Sequence, residues 1–536
     1  MPNRLLREPI KTLSTNVRNT IKNLTSSGSM IRRNEATITF RREWYGQFVI
    51  TLLLLSIIAL LVRKKSEPTY DTKIDVNSND SEDSTFQLVS IYRHGVDQLH
   101  DRHQKLEVTD EFIKNAGDYY KNQIAINAID ETVWTTNTKY ATDNPFGFKF
   151  KLKSEKVRMR RLKDRSPEFM EGYLDFTLNS PSKASKVSLD WVDEDVDAPN
   201  VTDKDTILSL ALMSSNAYVR LPHTGNWRNV SSPWNESDPN GYGWDGNGLR
   251  GHIFHNKKEN IIVIAIKGTS SQGVPGSGED DTIVNDKIND NLLFSCCCAR
   301  VSYLWTTVCD CYTKSYTCDE SCLEKEFRRK DRYYSATMEI YRDVLENYPD
   351  ATIWMTGHSL GGALASLLAR TYGWPAVGFE APGELLAAKR LHLPFPPGLP
   401  VYEEAIWNIG HTADPIFMGT CNGASSSCSI AGYAMETACH TGKTCIYDAV
   451  TDLGWRVNML NHRIHTVIDG ILSKYDQVAY CKQPDPCVDC FNWKYIGDRN
   501  APTTTSTTSK IPTSTSTSSS CVGRNWFGMC TSYSLS

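Results

Sequence analysis

Three polar side chains, Ser359, Asp414 and His462, stand in that order along the chain, each beside an apolar run. A serine hydroxyl is a weak nucleophile until a histidine takes its proton and a carboxylate orients the imidazole. The first of the three lies in ATIWMTGHSLGGALASLLAR, residues 351–370. Ala351 to Met355 is a short strand-forming run, whereas Ala363 to Arg370 consists of strong helix formers. Between them Gly357, Ser359 and Gly361 spell G-x-S-x-G, a strand-turn-helix elbow that lifts the serine hydroxyl above a sheet. The N–H of Leu360, at the start of that helix, points where an oxyanion would form. A serine N-cap after a glycine turn is the reading that asks for no chemistry.

The partners follow downstream. Asp414, in HTADPIF, comes just after an apolar strand at Ala405 to Ile409, and Pro415 keeps the backbone before it extended. An Asx turn ending the strand is its alternative. NHRIHTVIDGIL offers His462 and His465 as base. Ile464, Val467, Ile468, Ile471 and Leu472 form a helical apolar stripe, so His465 is expected on the helix surface and His462 on the loop ahead of it. His358, next to the nucleophile, is expected to pack or to shape the turn. A second oxyanion donor is sought where IVIAIKGTSS leaves a strand, at Gly268 and Thr269.

These groups need a scaffold. Asn260 to Ile266 (NIIVIAI) reads as a strand buried on both faces, with further strands at 351–355, 376–379 and 405–409. Helical patterns fall at 206–219, near 331–347 and near 463–474. Strands alternating with helices predict an α/β fold with a largely parallel central sheet. Within 86–204 the run Phe146 to Val157 alternates like a strand, but the region shows no recognisable chemistry.

Length and composition bound the rest. A chain of 536 residues with formal charge -4 and pI near 6.3 has no basic excess for nucleic acid. Phe48 to Val62 carries no charge, and with Trp44 to Gln47 it reaches spanning length, so residues 44–62 read as one uncleaved transmembrane signal anchor. Nine basic residues against three acidic ones in 1–43 keep that end cytoplasmic and make the remainder lumenal, a type II topology. Residues 63–85 read as a polar stalk, 205–498 as the catalytic region, 499–520 as a Ser/Thr-rich spacer and 521–536 as a Cys-bracketed tail. All 16 cysteines lie between Cys296 and Cys530, an even number that suits disulfides in an oxidising lumen. Zinc held by Cys309, Cys311, Cys318 and Cys322 is the rival. Sequons at Asn79, Asn200, Asn229 and Asn235 fit the same topology.

Taken in order, IAIKGTSS, GHSLGGALA, GFEAPG, HTADPI and NHRIHTVI resemble the class 3 lipases of filamentous-fungal type, and the motifs cover about residues 205–475. The anchor, the Cys-rich insertion and the Ser/Thr tail extend the likeness to the vacuolar branch of such enzymes, which breaks down autophagic bodies. The resemblance implies an α/β-hydrolase fold, with Ser359 as nucleophile, Asp414 as orienter, His462 as base and Thr269 with Leu360 as oxyanion donors. It also implies a lipase or phospholipase without metal or organic cofactor. Membrane phospholipid or neutral lipid would be the substrate, and the route would run through endoplasmic reticulum, Golgi and multivesicular endosomes to the vacuole. The insertion at 271–330 lies where such lipases carry a lid, and Ile288, Leu292 and Leu293, followed by Leu304 and Trp305, offer it an apolar face. Two rivals remain: an esterase for polysaccharide acyl groups, and a glycosylated wall protein without activity.

Overall fold

In the computed structural model the described residues are 85–96, 101–126, 145–218, 227–229, 248–270, 282–300, 307–400, 403–423, 425–497, 519–524 and 530–535. All belong to the second of the chain's two units, Asp80–Ser536. The expected span at 44–62, Asn79, Asn235, Leu304, Trp305 and residues 499–518 of the Ser/Thr spacer lie outside them. Among the described residues no helix is long and apolar enough to cross a membrane.

Fourteen strands are labelled in chain order. They are β1 (Gln87–Val96), β2 (Asp101–Glu107), β3 (Ser154–Leu162), β4 (Trp191–Pro199), β5 (Trp227–Asn229), β6 (Arg250–Asn256), β7 (Ile261–Ile266), β8 (Tyr312–Lys314), β9 (Thr317–Asp319), β10 (Thr352–His358), β11 (Ala376–Phe379), β12 (Ile406–His411), β13 (Lys443–Tyr447) and β14 (Cys481–Lys482). Ten of them make one sheet in the order β14-β13-β12-β11-β10-β7-β6-β1-β2-β5. From β7 to β13 the neighbours are parallel, and the strands outside that core are antiparallel. Every residue of β7 and of β12 is buried, as a strand covered on both faces requires.

Helix α1 (Lys204–Asn216) covers one face, and α2 (Ile283–Leu293), α3 (Tyr333–Asn347) and α4 (Leu360–Tyr372) lie among the apolar core of the other. Helix α4 is buried along its whole length, and its small residues let it lie close against β10.

The stretch 86–204 is built into this body. Its β1 and β2 extend the main sheet, and the β3–β4 ribbon is tied to β10 by the Trp354 indole N–H donating to the Asp197 carbonyl at 2.8 Å. The strand expected at Phe146 to Val157 starts late, at Ser154. Phe146 and Phe150 are instead plugs beneath the sheet, packed edge-on against Phe112 and Phe254, with Phe150 paired to Phe86 through a single bridge. Alternation of large aromatics met the needs of a wedge as well as those of a strand. The helix expected near 463–474 is one α turn, Ile464–Val467, followed by a π turn, Ile468–Leu472, and its apolar stripe is fully buried.

Seven disulfides join the fourteen cysteines between Cys296 and Cys490. Three consecutive residues, Cys296, Cys297 and Cys298, bond to Cys490, Cys318 and Cys309. The four cysteines weighed as zinc ligands are all spent in such bonds, Cys311 pairing with Cys322. Leu292 and Leu293 are core residues and Ile288 is only half-buried, so that face of α2 packs beneath the disulfides rather than presenting itself outward.

Candidate active site

Ser359 sits between β10 and α4 with φ 58° and ψ -130°, a conformation a non-glycine residue adopts under strain. The strand must turn into the helix within one residue, and position 361, in the first turn of α4, is glycine because nothing larger fits. A Cβ on Gly361 would lie 2.2 Å from the Ile266 carbonyl oxygen. A Cβ on Gly268 would lie 2.1 Å from both the His358 carbonyl and the Tyr218 hydroxyl and 3.1 Å from Ser359 Cβ. The end of β7 is therefore pressed against the elbow, which brings Thr269 to the serine's side.

The three residues picked from the sequence meet. His462 Nε2 is 2.7 Å from Ser359 Oγ, and its Nδ1 is 2.6 Å from Asp414 Oδ2. Asp414 has no solvent exposure, and its Oδ1 accepts the Ile416 N–H at 2.9 Å. Burial alone would raise its carboxyl, but His462, Glu380 and the Ile416 N–H outweigh burial and hold it below the usual carboxylate range. With Nδ1–H pointing at a carboxylate, Nε2 is left as the acceptor for the serine proton.

His358 has a role beyond packing. Its Nε2–H donates to the His462 carbonyl at 2.7 Å while Nδ1 accepts from the Tyr218 hydroxyl at 2.8 Å. Burial depresses its pKa to about 3, so it is a neutral strut holding the His462 loop. His465 departs from expectation: it is half-buried, its Nδ1 is sealed without a partner, and burial lowers its pKa to about 4. The one-turn helix is too short to carry it clear of the body.

At the oxyanion side, Thr269 Oγ1 donates to Asp290 Oδ2 at 2.6 Å. The Thr269 hydroxyl is thereby committed to α2. Asp290 is fully buried, and burial pushes its carboxyl to about 8. Nearby Lys267 is buried against Asp286, whose Oδ2 also accepts the Ser270 N–H. Asn200 engages its own turn, accepting from Thr202, and the Asn229 backbone pairs with Gln104 at the sheet edge.

Sequence reasoning passed over Tyr218, Asp290, His411 and Glu380. Only Glu380 carried a signal: an acid directly after a buried apolar strand, inside GFEAPG. The others are ordinary in sequence and meet the site only through the fold.

A sheet with a parallel centre and a serine on the elbow between β10 and α4 defines an α/β-hydrolase. The family model of class 3 lipases matches residues 298–373. Among known relatives, "Putative lipase ATG15" of Saccharomyces cerevisiae (strain YJM789) is 59% identical over 522 residues, 94% of this chain and 100% of that one. "Putative lipase ATG15" of Kluyveromyces lactis is 55% identical over 517 residues, 91% of this chain and 97% of that one. The chain belongs to this family of class 3 lipases. Among solved structures, Lip2 lipase from Yarrowia lipolytica aligns with 19% identity and a TM-score of 0.22, over 38% of this chain and 62% of that one.

Proposed function

We propose that the chain is a serine lipase that hydrolyses carboxylic esters of membrane phospholipids and disintegrates vesicles, autophagic bodies among them, inside the vacuole. The carrying observation is the linear relay Ser359 Oγ, His462 and Asp414, with contacts of 2.7 and 2.6 Å, at a strained elbow. His462 takes the serine proton as Oγ attacks the ester carbonyl, and the N–H groups of Leu360 and Thr269 receive the oxyanion. Asp414 stabilises the imidazolium, which gives its proton to the leaving alcohol. His462 then activates water to release the fatty acid.

A bulk lipid substrate is supported by apolar groups left in water beside the relay. Leu460 and Val457, each 55% exposed, precede His462, and Ile430 is 79% exposed. The Cys428 and Met459 sulfurs, 3.9 Å apart, link the Ile430 turn to the Leu460 turn, and Lys287 ties it to α2. The topology that suits this role has the anchor at 44–62 in the membrane and the catalytic region in the lumen, reached through endoplasmic reticulum, Golgi and multivesicular endosomes.

The test uses the full-length chain. A fluorophosphonate should label the wild type and not Ser359→Ala, and fatty acid should be released from phosphatidylcholine vesicles. Equal labelling of Ser359→Ala would sink the nucleophile assignment. Release from acylated polysaccharide alone would redirect the substrate to the wall.

A further inference from the structure

Glu380 directly follows β11, the strand between the one that leads to Ser359 and the one that leads to Asp414, and the reaction above does not use it. Its φ is 45°, in the left-handed region that glycine enters at least cost. Its side chain, like those of Asp414 and His411, has no solvent exposure. Its Oε2 accepts the His411 backbone N–H at 3.3 Å, whereas Oε1 is sealed without an N–H or O–H donor. The two acids meet at His411, whose N–H the Glu380 carboxyl accepts and whose carbonyl accepts the Asp414 N–H at 3.1 Å, and each carboxyl is the other's nearest acidic influence.

Two carboxyls sealed side by side do not both ionise. Asp414 is better provided for negative charge, with His462 at 2.6 Å and the Ile416 N–H at 2.9 Å. Glu380 has one long backbone bond. His411 offers it no cation: its Nε2–H donates to the Asn461 carbonyl at 3.2 Å, and its Nδ1 accepts the Ala413 N–H at 3.2 Å, which makes the ring neutral. Nε2 stands 3.6 Å from Glu380 Oε1. His462 and His358 face Asp414 from the other side.

We propose that Glu380 is a positioning residue, kept as a carboxylic acid whose O–H donates to Asp414 and thereby keeps the Asp414–His462 couple in its working protonation state at low pH. Donation draws negative charge away from His462 and makes the imidazole less basic. His462 then remains neutral, and able to accept the serine proton, further into acid. The proposal rests on the relay assigned above.

Fatty-acid release from a short-chain phosphatidylcholine by the full-length chain, measured from pH 4 to 8 with thermal melts, tests it. Glu380→Gln keeps a neutral donor, so the acidic limb of kcat/KM should not move. Glu380→Ala loses the donor, and the limb should move up by about one pH unit, with kcat down roughly tenfold. Glu380→Gly relieves the left-handed backbone, so it should melt no lower than wild type while showing the same upward limb. That variant decides the matter if the alanine variant does not fold. A downward move in Glu380→Gln would mean an ionised Glu380, and a wild-type profile in Glu380→Gly would mean a purely structural one; either overturns the proposal. Ser359→Ala runs in parallel. Activity surviving in it removes the relay, whereas an inactive Ser359→Ala beside an unmoved Glu380→Gly profile removes this proposal alone.

Discussion

Carboxylates do opposite work in two parts of this molecule. On the β3–β4 ribbon, Asp197, Asp195 and Asp193 stand directly across from Lys156, Arg158 and Arg160, at 2.7, 3.2 and 2.7 Å, with all six side chains open to water. At the C-terminal ends of the parallel strands, Asp414, Glu380 and Asp290 have no exposure at all. Water screens the first set, so each pair contributes little. Burial removes that freedom from the second set, where each acid must find donors or keep its proton. The ribbon sets register; the strand ends set protonation, and only protonation can make a serine nucleophilic.

The largest effect that would break this contrast lies at His462. His462→Ala should lower fatty-acid release on the order of 10^4-fold, and adding Ser359→Ala should cost little more, since residues acting as a unit fail together. His465→Ala should keep most turnover, because its ring points into the body with Nδ1 unpartnered. A folded, inactive His465→Ala beside an active His462→Ala would reverse the assignment. His358→Ala should fall between them: it deletes the 2.7 Å bond to the His462 carbonyl but touches no reacting atom.

Next in size comes covalent stapling. The Cys296–Cys490 bond closes 194 residues, and three bonds start from adjacent cysteines under α2, so full reduction should inactivate the enzyme and lower the melting temperature by about 10 °C or more. Chelators should do neither. Loss in a chelator, restored by zinc, would count against these bonds.

Smaller still is the pH dependence of stability, which sharpens the contrast through the sealed histidines and Asp290. Burial lowers His94 and His465 to about 4 and His103, His252 and His358 to about 3. The unfolded chain binds protons at these sites first, so their contribution is full above about pH 6.5 and is lost as pH falls toward 4 and 3. Asp290, raised to about 8, has the reverse sign: it is protonated in the fold, so its contribution is lost as pH climbs from about 4 through 8. Melting temperature should therefore drop below pH 6.5, by several degrees near pH 5, and sag again toward pH 8. Asp290→Asn should lessen the alkaline sag, and Glu380, raised by burial in the same sense, should keep its share; a sag unchanged in Asp290→Asn would place the titrating group elsewhere.

What the sequence made legible follows from the same division. The buried parallel strands announce themselves because burial on both faces leaves an unbroken apolar run, as in IIVIAI, and the elbow does so because only glycine permits its close approaches. Ser359, Asp414 and His462 were read from their loops, and the structure brings the three into contact. The polar support was not: Tyr218 lies just past the end of α1, 140 residues before His358, and Asp290 reaches Thr269 from another element. Contacts between distant elements leave no local period to read. The aromatic wedge of Phe146 and Phe150 and the half-buried His465 were misread for a related reason: spacing gives a face but not what covers it.

The smallest effect belongs to the ribbon, and its smallness is the point. Arg158 and Asp195 lie opposite each other with side chains 63% and 60% exposed. Holding two long side chains in one geometry costs rotamer entropy that a screened attraction barely offsets. Arg158→Ala should shift the melting temperature by less than about 2 °C, and raising salt to about 1 M, where the Debye length is about 3 Å, should erase the difference from wild type. Activity should not change, since the Trp354 bond to the Asp197 backbone and the Arg161 bond to the Gly373 carbonyl, which tie the ribbon to β10 and to the end of α4, do not involve the Arg158 side chain. A drop of about 5 °C or more would show that the exposed ladder bears real weight on the fold. The division between charges that set register and charges that set protonation would then have to be drawn somewhere other than at the water line.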